Sequence, residues 1–436
     1  MSFSVRSNSQ ISDTPSLTHS HTSTAVRARI TQAVLLVIGI ATIFAYAHRY
    51  ADFDCYVGFG RAILDGKDSY VVAPPGVATY PPFFSFFCVP FAWLGHSSIY
   101  VARAMWVVLN ELLLMVISWL LVRLIYLQPP SLGPGKQNLW VAAPAFYVPL
   151  WLTLPFLLNN FERLNLSVLI FALSLSGLYL AETKREIKGG ALVGTAAALK
   201  VMPVAFILYF AYRRQWRRFL GASLSAGGLS LSPILMVGWS RFQRDVVLWL
   251  AETHALWNGG PWNQSVYAMW VRFVGPSPLA TIYLYKGDGV YAAPTGTSAA
   301  LLWSLSLLLV IACALWQFRS APGTDRFKIL CEWGAIFLLS VLFSPVMWKH
   351  YLTVLWLPCF LLVAAWRSGR LDPGQRRIVV GVLLFCAVTG ALTYGDLFGG
   401  IVIVRVLTYS VVTIMALVVL GSLLWLRRSA PANLLP

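Results

Sequence analysis

Asp52 follows the first long hydrophobic run of the chain, residues 30–47, and is one of few acidic residues among many apolar ones. A carboxylate just outside a membrane span is well placed to act as a general base at the boundary between water and lipid. Lys200 stands inside an apolar stretch, and the adjacent Lys349 and His350 follow another. Charged groups at membrane depth are costly and often mark functional sites. These residue types predict proton abstraction by Asp52 and binding of an anionic group by the cations.

The composition is that of a membrane protein. Of the 436 residues, 58% are hydrophobic and 11% are charged, and the mean hydropathy is +0.70. A soluble domain of this length carries about a quarter charged residues. Several apolar runs reach about 20 residues, enough to cross a bilayer core of roughly 30 Å. We therefore predict an all-α fold, a polytopic transmembrane helical bundle in contact with membrane lipid.

The net charge of +17 comes from short clusters of Lys and Arg between the apolar runs. Such clusters follow the positive-inside rule, so we expect no nucleic acid partner. The six cysteines are scattered without a CxxC pair, which indicates neither a zinc site nor a disulfide framework. A bridge between Cys55 and Cys88 stays open. No compact group of carboxylates points to a metal, and we predict no cofactor.

Basic residues also set the expected orientation and organisation of the chain. Arg27 and Arg29 precede the first span, which puts the N-terminus in the cytoplasm and Asp52 outside. No small-residue cleavage site follows the first apolar run, so we interpret it as a retained span. The Ser/Thr-rich start of the chain is expected to be disordered. The organisation is then a cytoplasmic tail, one transmembrane domain and a second cytoplasmic tail, over residues 1–24, 25–428 and 429–436.

About ten full spans account for the basic clusters if all the clusters are cytoplasmic. The segment 189–212 must leave the cytoplasm and return, because basic residues flank it on both sides, and it is too short for two ordinary spans. We interpret it as a re-entrant hairpin that turns at Lys200–Pro203, with two short spans, and twelve in total, as the alternative. The apolar segment 82–96 is interpreted as an interfacial helix. The ten spans are 30–47, 99–126, 140–158, 164–181, 219–238, 299–318, 329–345, 351–366, 378–394 and 401–426.

With this topology, five polar features share the outer side of the membrane. A site with one carboxylate and several cations suits transfer from a lipid-phosphate sugar donor, because cations hold the phosphate while a base takes the proton of the acceptor hydroxyl. The five features are the first external loop 48–98 with Asp52 and Tyr80, the turn Asn159–Arg163, the Lys200 turn, the long external loop 239–298, and the segment Ser344–His350.

Five short motifs, in this order, resemble glycosyltransferase family 87, the polyprenol-phosphate-mannose-dependent mannosyltransferases of the C superfamily of integral-membrane glycosyltransferases. No motif is specific alone, and together they span residues 50–350, about two thirds of the chain. They are Asp52-Phe53-x-x-Tyr56, Tyr80-Pro81-Pro82-Phe83, Ala198-Leu199-Lys200-x-x-Pro203 with Arg213-Arg214-x-Trp216-Arg217, Asn263-Gln264-Ser265, and Ser344-Pro345-x-x-Trp348-x-His350.

The resemblance implies that Asp52 is the catalytic base and that the donor is polyprenyl-phosphate mannose. His350 matches the first histidine of a family pattern Trp-Asp-His-His, with Lys349 and Tyr351 as its neighbours here. The family's Gly-Gln-x-Asn turn is replaced by Glu162–Asn165. The expected donor phosphate-binding residues are Lys200, His350, Lys349 and Arg163. The expected substrate-binding residues are Tyr56, Tyr80, Glu162, Asn263, Gln264 and Trp348.

Several of these residues have a plainer explanation. Asp54 competes with Asp52 as the base, although it points to the opposite side if the segment is extended. Lys200 has the alternative of reaching to the membrane interface with its stem in lipid. His350 has the alternative of being a buried histidine bonded to a carbonyl. Asn263 and its neighbours have the alternative of shaping a loop near the site.

We predict an inverting glycosyltransferase of the bacterial plasma membrane, which moves a sugar to a lipid-linked or glycan acceptor on the outer face. The resemblance implies mannose. One alternative is a transporter or flippase of lipid-linked sugars, which often carries matched helix breaks in its two halves. Another is a surface-polysaccharide polymerase or ligase, which would use external arginines on a diphosphate-linked donor; the long loop offers Arg241, Arg244 and Arg272.

Overall fold

A computed structural model describes residues 33, 36–72, 79–126, 144–257, 259–274, 297–431 and 434–435. Outside the described residues lie the expected tail 1–24, the first residues of the predicted spans 30–47 and 140–158, much of the loop 239–298 and parts of the tail 429–436.

The described part of the chain is helical, and it contains no β-strand. The first ten helices are α1 (Leu36–Ala47), α2 (Asp52–Leu64), α3 (Ser69–Val72), α4 (Pro82–Phe87), α5 (Val89–Ser97), α6 (Ile99–Tyr126), α7 (Pro144–Arg163), α8 (Ser167–Glu182), α9 (Glu186–Leu199) and α10 (Val204–Tyr212). Then follow α11 (Trp216–Leu231), α12 (Ile234–Val237), α13 (Trp239–Ala255), α14 (Val266–Val274), α15 (Thr297–Phe318), α16 (Arg326–Leu342), the 3-10 helix Lys349–Leu355, α17 (Trp356–Arg367), α18 (Pro373–Leu392), α19 (Gly395–Thr408) and α20 (Val411–Ser429).

The helices fit an integral membrane protein, as the composition predicts. The shorter apolar helices Leu36–Ala47, Ser167–Glu182 and Leu397–Thr408 accompany the long ones. The predicted count of about ten or twelve spans stays a prediction. Six segments among the described residues are long and apolar enough to cross a bilayer: Ile99–Tyr126, Trp216–Val237, Ser298–Phe318, Lys349–Arg367, Pro373–Leu392 and Val411–Ser429.

Helix α9 packs against α11 through glycines that bring the two backbones close together. A Cβ atom added at Gly190 would lie 2.1 Å from the carbonyl oxygen of Arg218, and one at Gly194 would lie 2.2 Å from that of Ala222. The spacing Gly-x-x-x-Gly is typical of tight helix pairs in membranes. Because the contacts advance in the same direction along both helices, α9 and α11 run parallel, and the chain between them must reverse.

The reversal begins where the sequence predicts a turn. Helix α9 ends at Leu199, Lys200 is extended with φ −154° and ψ 120°, and α10 starts after Pro203. Proline fixes φ and lacks an N–H donor, so it interrupts the backbone pattern of a helix at this point. We call the close contact between α9 and α11 the glycine seam. Lys200 is fixed at one end of α9, and Arg218 lies at the opposite end of this seam.

One sequence expectation about the helices is wrong. The predicted single span 401–426 is two helices, because Ser410 adopts a left-handed conformation (φ 59°) between α19 and α20. The side chain of Arg272 donates to the Ser410 hydroxyl at 2.7 and 3.0 Å, and Gln264 donates to the Leu407 carbonyl at 2.8 Å. The bond from Gln264 satisfies a backbone carbonyl at the C-terminal end of α19. The predicted loop 239–298 contains the helices α13 and α14.

Candidate active site

Asp52 is the first residue of α2, where the helix dipole favours a negative charge. The segment is helical and not extended, and its two acidic residues have different surroundings. Asp54 accepts hydrogen bonds from the backbone N–H of Ala51 at 2.8 Å and from Arg103 at 2.5 and 3.1 Å. Both carboxylate oxygens of Asp54 are thus occupied in holding the start of α2, which leaves Asp52 as the acidic side chain available for chemistry.

Asn165 holds Asp52 in place. The Asn165 Nδ2 atom donates to Asp52 Oδ2 at 2.7 Å, while Asn165 Oδ1 accepts from the backbone N–H and the hydroxyl of Ser167 at 3.1 and 2.8 Å. The bonds from Ser167 fix the orientation of the amide, so that its NH2 group faces the carboxylate. Among the described residues, no donor is bonded to Asp52 Oδ1. That oxygen is free to accept a proton.

Three tyrosines from the first loop support this arrangement. The Tyr56 and Tyr80 hydroxyls share a hydrogen bond of 2.8 Å, and Asn165 Nδ2 lies 3.4 Å from the Tyr80 hydroxyl. Tyr70 donates to the Tyr80 carbonyl at 2.6 Å. Pro81 then caps α4. The predicted residues Tyr56 and Tyr80 therefore lie in one hydrogen-bonded group with Asp52 and Asn165.

Lys200 enters the same region from the end of α9. Its side chain is buried, with Nζ 3.6 Å from the centre of the Tyr351 ring and 5.6 Å from that of Tyr80. Among the described residues, the ammonium has no hydrogen-bond partner and no carboxylate within ion-pair distance. Asp52 lies close enough for an electrostatic interaction with it. A lysine held over a tyrosine in the protein interior does not reach to a membrane interface, so the alternative explanation fails.

His350 lies in the 3-10 helix that follows the segment 344–348. Its ring is buried, and Nε2 has no hydrogen-bond partner among the described residues. Lys200, Arg163 and Lys349 all lie close enough to interact with it electrostatically. A buried imidazole near three cations is well suited to an anionic ligand, and within the described residues neither Lys200 nor the His350 Nε2 atom has a hydrogen-bond partner.

The remaining charged residues of the prediction flank this group. Lys349 Nζ donates to the Thr393 carbonyl at 2.7 Å and interacts electrostatically with Glu162. Glu162 accepts from Asn159 at 2.9 Å, and the Arg163 side chain is exposed. Arg163 also interacts with Asp52. The end of α7 thus interacts electrostatically with both sides of the candidate site, through Arg163 with Asp52 and through Glu162 with Lys349.

Asn263 and Gln264 bond to the protein backbone. Asn263 accepts from the Met347 N–H at 3.0 Å and donates to the Pro345 carbonyl at 3.0 Å, and Gln264 donates to the carbonyls of Pro261 and Leu407. These contacts favour a role in shaping the segment that leads to His350. Trp348 is half-buried beside it, and its carbonyl accepts from the Tyr351 N–H at 2.9 Å.

The environment of Asp52 changes its acidity. Removal from water raises the pKa of the carboxyl group, while the hydrogen bond from Asn165 and the charges of Arg163 and Lys200 act in the opposite direction. The net effect is a raised pKa, which makes Asp52 a stronger base than an exposed aspartate.

Cys55 and Cys88 are free thiols. Among the described residues, no three His, Cys, Asp or Glu side chains form a group with metal-ligand geometry.

The sequence prediction missed two residues of this group as site residues. Asn165 occurs in the turn that departs from the family pattern, and Tyr351 stands where that pattern has a second histidine. The signal in the sequence was their position: Asn165 ends the turn that begins with Glu162 and Arg163, and Tyr351 directly follows His350. Only the fold shows that Asn165 faces Asp52 and that Tyr351 lies under Lys200.

The described helices fit an integral membrane protein, and they enclose a buried site with charged side chains. The model of glycosyltransferase family 87 matches residues 78–345. This match covers more than half of the chain, and the protein belongs to that family. The resemblance inferred from the five motifs is confirmed, and the protein is a glycosyltransferase. The transporter alternative is thereby rejected.

Two curated proteins give the same family context. The chain is 27% identical over 360 residues to the polyprenol-phosphate-mannose-dependent alpha-(1-2)-phosphatidylinositol mannoside mannosyltransferase of Mycobacterium tuberculosis, covering 79% of this chain and 76% of that protein. It is 26% identical over 356 residues to the protein of the same description from Mycolicibacterium smegmatis, covering 77% and 74%. No solved structure matches the chain.

Proposed function

We propose that the protein transfers mannose from a polyprenyl-phosphate donor to a lipid-linked or glycan acceptor. The two relatives are described as polyprenol-phosphate-mannose-dependent enzymes that act on phosphatidylinositol mannoside, so both of their substrates carry lipid. The observation that carries the proposal is that Asp52 and Lys200 lie in the same buried site. Among the described residues, one carboxylate oxygen of Asp52 has no donor, and the Lys200 ammonium has no hydrogen-bond partner.

The proposed mechanism is a direct displacement with inversion. Asp52 Oδ1 accepts the proton of the acceptor hydroxyl as its oxygen attacks the anomeric carbon of the donor. The bond from that carbon to the phosphate oxygen breaks, and the phosphate leaves with the negative charge. Lys200 and His350 stabilise this charge, with Arg163 at the edge of the site. Lys349 contributes less in this scheme, because its ammonium already donates to Thr393.

The proposed site faces the outer side of the membrane, with both termini in the cytoplasm. Support comes from the basic clusters at the opposite end of the α9–α11 seam, which follow the positive-inside rule. The polar face with Asp52 and Lys200 is then external, where a lipid-linked donor presents its sugar. The single transmembrane domain over residues 25–428 remains part of this proposal.

A polysaccharide polymerase or ligase is less well supported. Its diphosphate-linked donor calls for free external arginines. All three arginines of the long loop 239–298 already contact other groups of the protein. Arg244 pairs with Asp68 at 2.6 Å, Arg241 lies 4.0 Å from Asp245, and Arg272 is buried on backbone carbonyls and Ser410.

Transfer in vitro tests the proposal. The purified protein in vesicles receives radiolabelled polyprenyl-phosphate mannose together with a lipid extract of its host. We expect label to appear in a new glycolipid, with the anomeric configuration opposite to that of the donor, and only when donor is supplied to the outer leaflet. Transfer from a glucose donor but not from mannose would overturn the assignment of the sugar, and retention of configuration would overturn the mechanism.

A further inference from the structure

A cavity of about 550 Å³ lies at the end of the bundle opposite Asp52. It is lined by Arg213, Arg214, Arg218 and Arg319, and we call it the arginine cavity. Helix α9 separates the two ends: it carries Lys200 at its C-terminus and starts near Arg218, and its 14 residues extend for roughly 21 Å. The volume falls within the range of about 300–1,000 Å³ that is typical of small-ligand sites.

The carboxylates around the arginine cavity do not balance its arginines. The fully buried Glu332 is shared between Arg213 and Arg427, with 2.6 Å between its Oε1 and Arg427. Arg218 pairs with Glu182 at 2.8 Å. In the described part of the chain, no carboxylate lies within ion-pair distance of Arg214 or Arg319. Two guanidinium groups that border the cavity are therefore available to an anion.

The backbone of Arg214 strengthens this argument. Arg214 has φ 55°, a left-handed conformation that costs a non-glycine residue free energy and persists only where the surrounding structure imposes it. The exposed side chain of Arg214 starts from this fixed turn and borders the cavity. Arg214 thereby lines the arginine cavity together with Arg213 and Arg218.

The arginine cavity lies at the C-terminal end of α15, a helix with exposed apolar side chains. The guanidinium of Arg319 stacks 3.7 Å from the Trp316 ring centre, and Trp316 is 54% exposed. Further along α15, Leu308 and Leu309 are 64% and 65% exposed, as expected of side chains that contact acyl chains. Tryptophan is typical of the membrane interface. An anion with attached acyl chains fits both the charged cavity and the apolar helix face.

We propose that the arginine cavity binds the phosphate of an anionic phospholipid, whose acyl chains lie along the exposed face of α15. Arginine forms two parallel hydrogen bonds to phosphate, and basic pockets between membrane helices hold lipid headgroups in this way. The site is distinct from the donor site because it lies at the opposite end of α9. The inference does not depend on the identity of the transferred sugar.

Native mass spectrometry of the purified full-length protein tests this site, with phosphatidylglycerol titrated against phosphatidylcholine and inorganic phosphate. The variant carries Arg214→Gln and Arg319→Gln, since neither arginine has a carboxylate partner to lose among the residues that the structure describes. Its affinity for phosphatidylglycerol should fall by about 30-fold relative to the wild type. Arg376→Gln is the matched control, because Arg376 is exposed at the same end of the bundle and does not line the cavity.

Each outcome decides the question. Selective retention of phosphatidylglycerol by the wild type and by Arg376→Gln, with loss in the double variant, supports the site. Equal retention by the double variant overturns it. Occupancy by inorganic phosphate that displaces the lipid at equal concentration also overturns it, because the ligand would then be a free anion. Glycosyl transfer and a single elution peak on size exclusion, both retained in the double variant, show that its fold is intact.

Discussion

Asn165 and Asp52 are 113 positions apart in the chain and share a hydrogen bond of 2.7 Å. The bond joins the start of α2 to the connection between α7 and α8, and it leaves one oxygen of the carboxylate without a donor among the described residues. The amide of Asn165 is itself held by Ser167. The candidate base is thus oriented by a side chain that is itself held by two hydrogen bonds.

Neutralising each of the two acidic residues at the start of α2 in turn should have different effects on activity and stability. Asp52→Asn keeps the shape of the side chain and an acceptor for Asn165, but it removes the base. We expect kcat to fall by about 10²- to 10⁴-fold. Asp54→Asn is the matched control, and it should lower the unfolding temperature by weakening the contacts to Arg103 and Ala51, while the folded protein still transfers sugar. The reverse result in the two variants would assign the base to Asp54.

The pH dependence of transfer should show the raised pKa of Asp52. The base works only when deprotonated, so activity is lost as the pH falls through this pKa. Burial raises the pKa, and the acid limb of kcat/KM should therefore lie above the ordinary range of an aspartate. Asn165→Leu removes a hydrogen bond that lowers the pKa and should move the limb to still higher pH. A lower rate with an unmoved limb would show that Asn165 only supports the fold.

Lys200 should act on the donor phosphate. Lys200→Met keeps an unbranched apolar side chain over Tyr351 but removes the charge, and we expect kcat/KM to fall by about 10²- to 10³-fold. Lys188→Met at the other end of α9, where the side chain is exposed, is the control and should retain activity. Binding of a non-transferable polyprenyl phosphate provides a second measurement. Undiminished binding and turnover in Lys200→Met would remove Lys200 from the site.

The seam between α9 and α11 should not tolerate a methyl group. A Cβ at Gly190 would lie 2.1 Å from the carbonyl oxygen of Arg218, so Gly190→Ala must separate the helices and lower the midpoint of thermal unfolding. Gly227→Ala on α11 meets nothing within 4 Å, and this control should unfold no earlier than the wild type. Equal midpoints for the two variants would contradict the close packing. Activity should fall in Gly190→Ala as Lys200 shifts.

Glu332 should be the most sensitive carboxylate for stability. Glu332→Gln leaves Arg213 and Arg427 without their shared countercharge in the interior, and removing one partner of a buried pair costs about 3–5 kcal/mol. The partly exposed Glu186, 3.6 Å from Arg218, is the control, and its loss should cost about 0–1 kcal/mol. Thermal unfolding in the same detergent compares the two. A Glu186→Gln variant as unstable as Glu332→Gln would contradict this account.

Sequence alone was sufficient for features that depend on local pattern. Long apolar runs predict membrane helices, and the combination of Lys200 and Pro203 predicts a break between α9 and α10, because both act within their own stretch. The family could also be inferred, since its motifs are short and stand in a fixed order. The relation of Asn165 to Asp52 was not accessible in this way, because it depends on how α7 and α2 pack.

The helix break at Ser410 is another feature that the sequence did not predict. Residues 401–426 are mostly apolar, and the polar residues Arg405 and Thr408–Ser410 in that run do not by themselves predict an interruption. The interruption depends on Arg272, which lies 138 positions earlier and inserts its guanidinium at the break. Similarly, Asp54 was considered a rival of Asp52 that points away from it if the segment is extended. It does serve another purpose, but as the cap of a helix.

The glycine seam also bears on how the chain is assembled in the membrane. Helices α9 and α10 have 14 and 9 residues, and neither is long enough to be held by the bilayer on its own. Their partner α11 is synthesised after both, so we expect the hairpin to wait at the membrane surface until α11 emerges from the ribosome and closes the Gly190 contact. Insertion of this region would then be a single cooperative step, and a chain truncated before residue 216 would leave Gly190 and Gly194 without their partner helix.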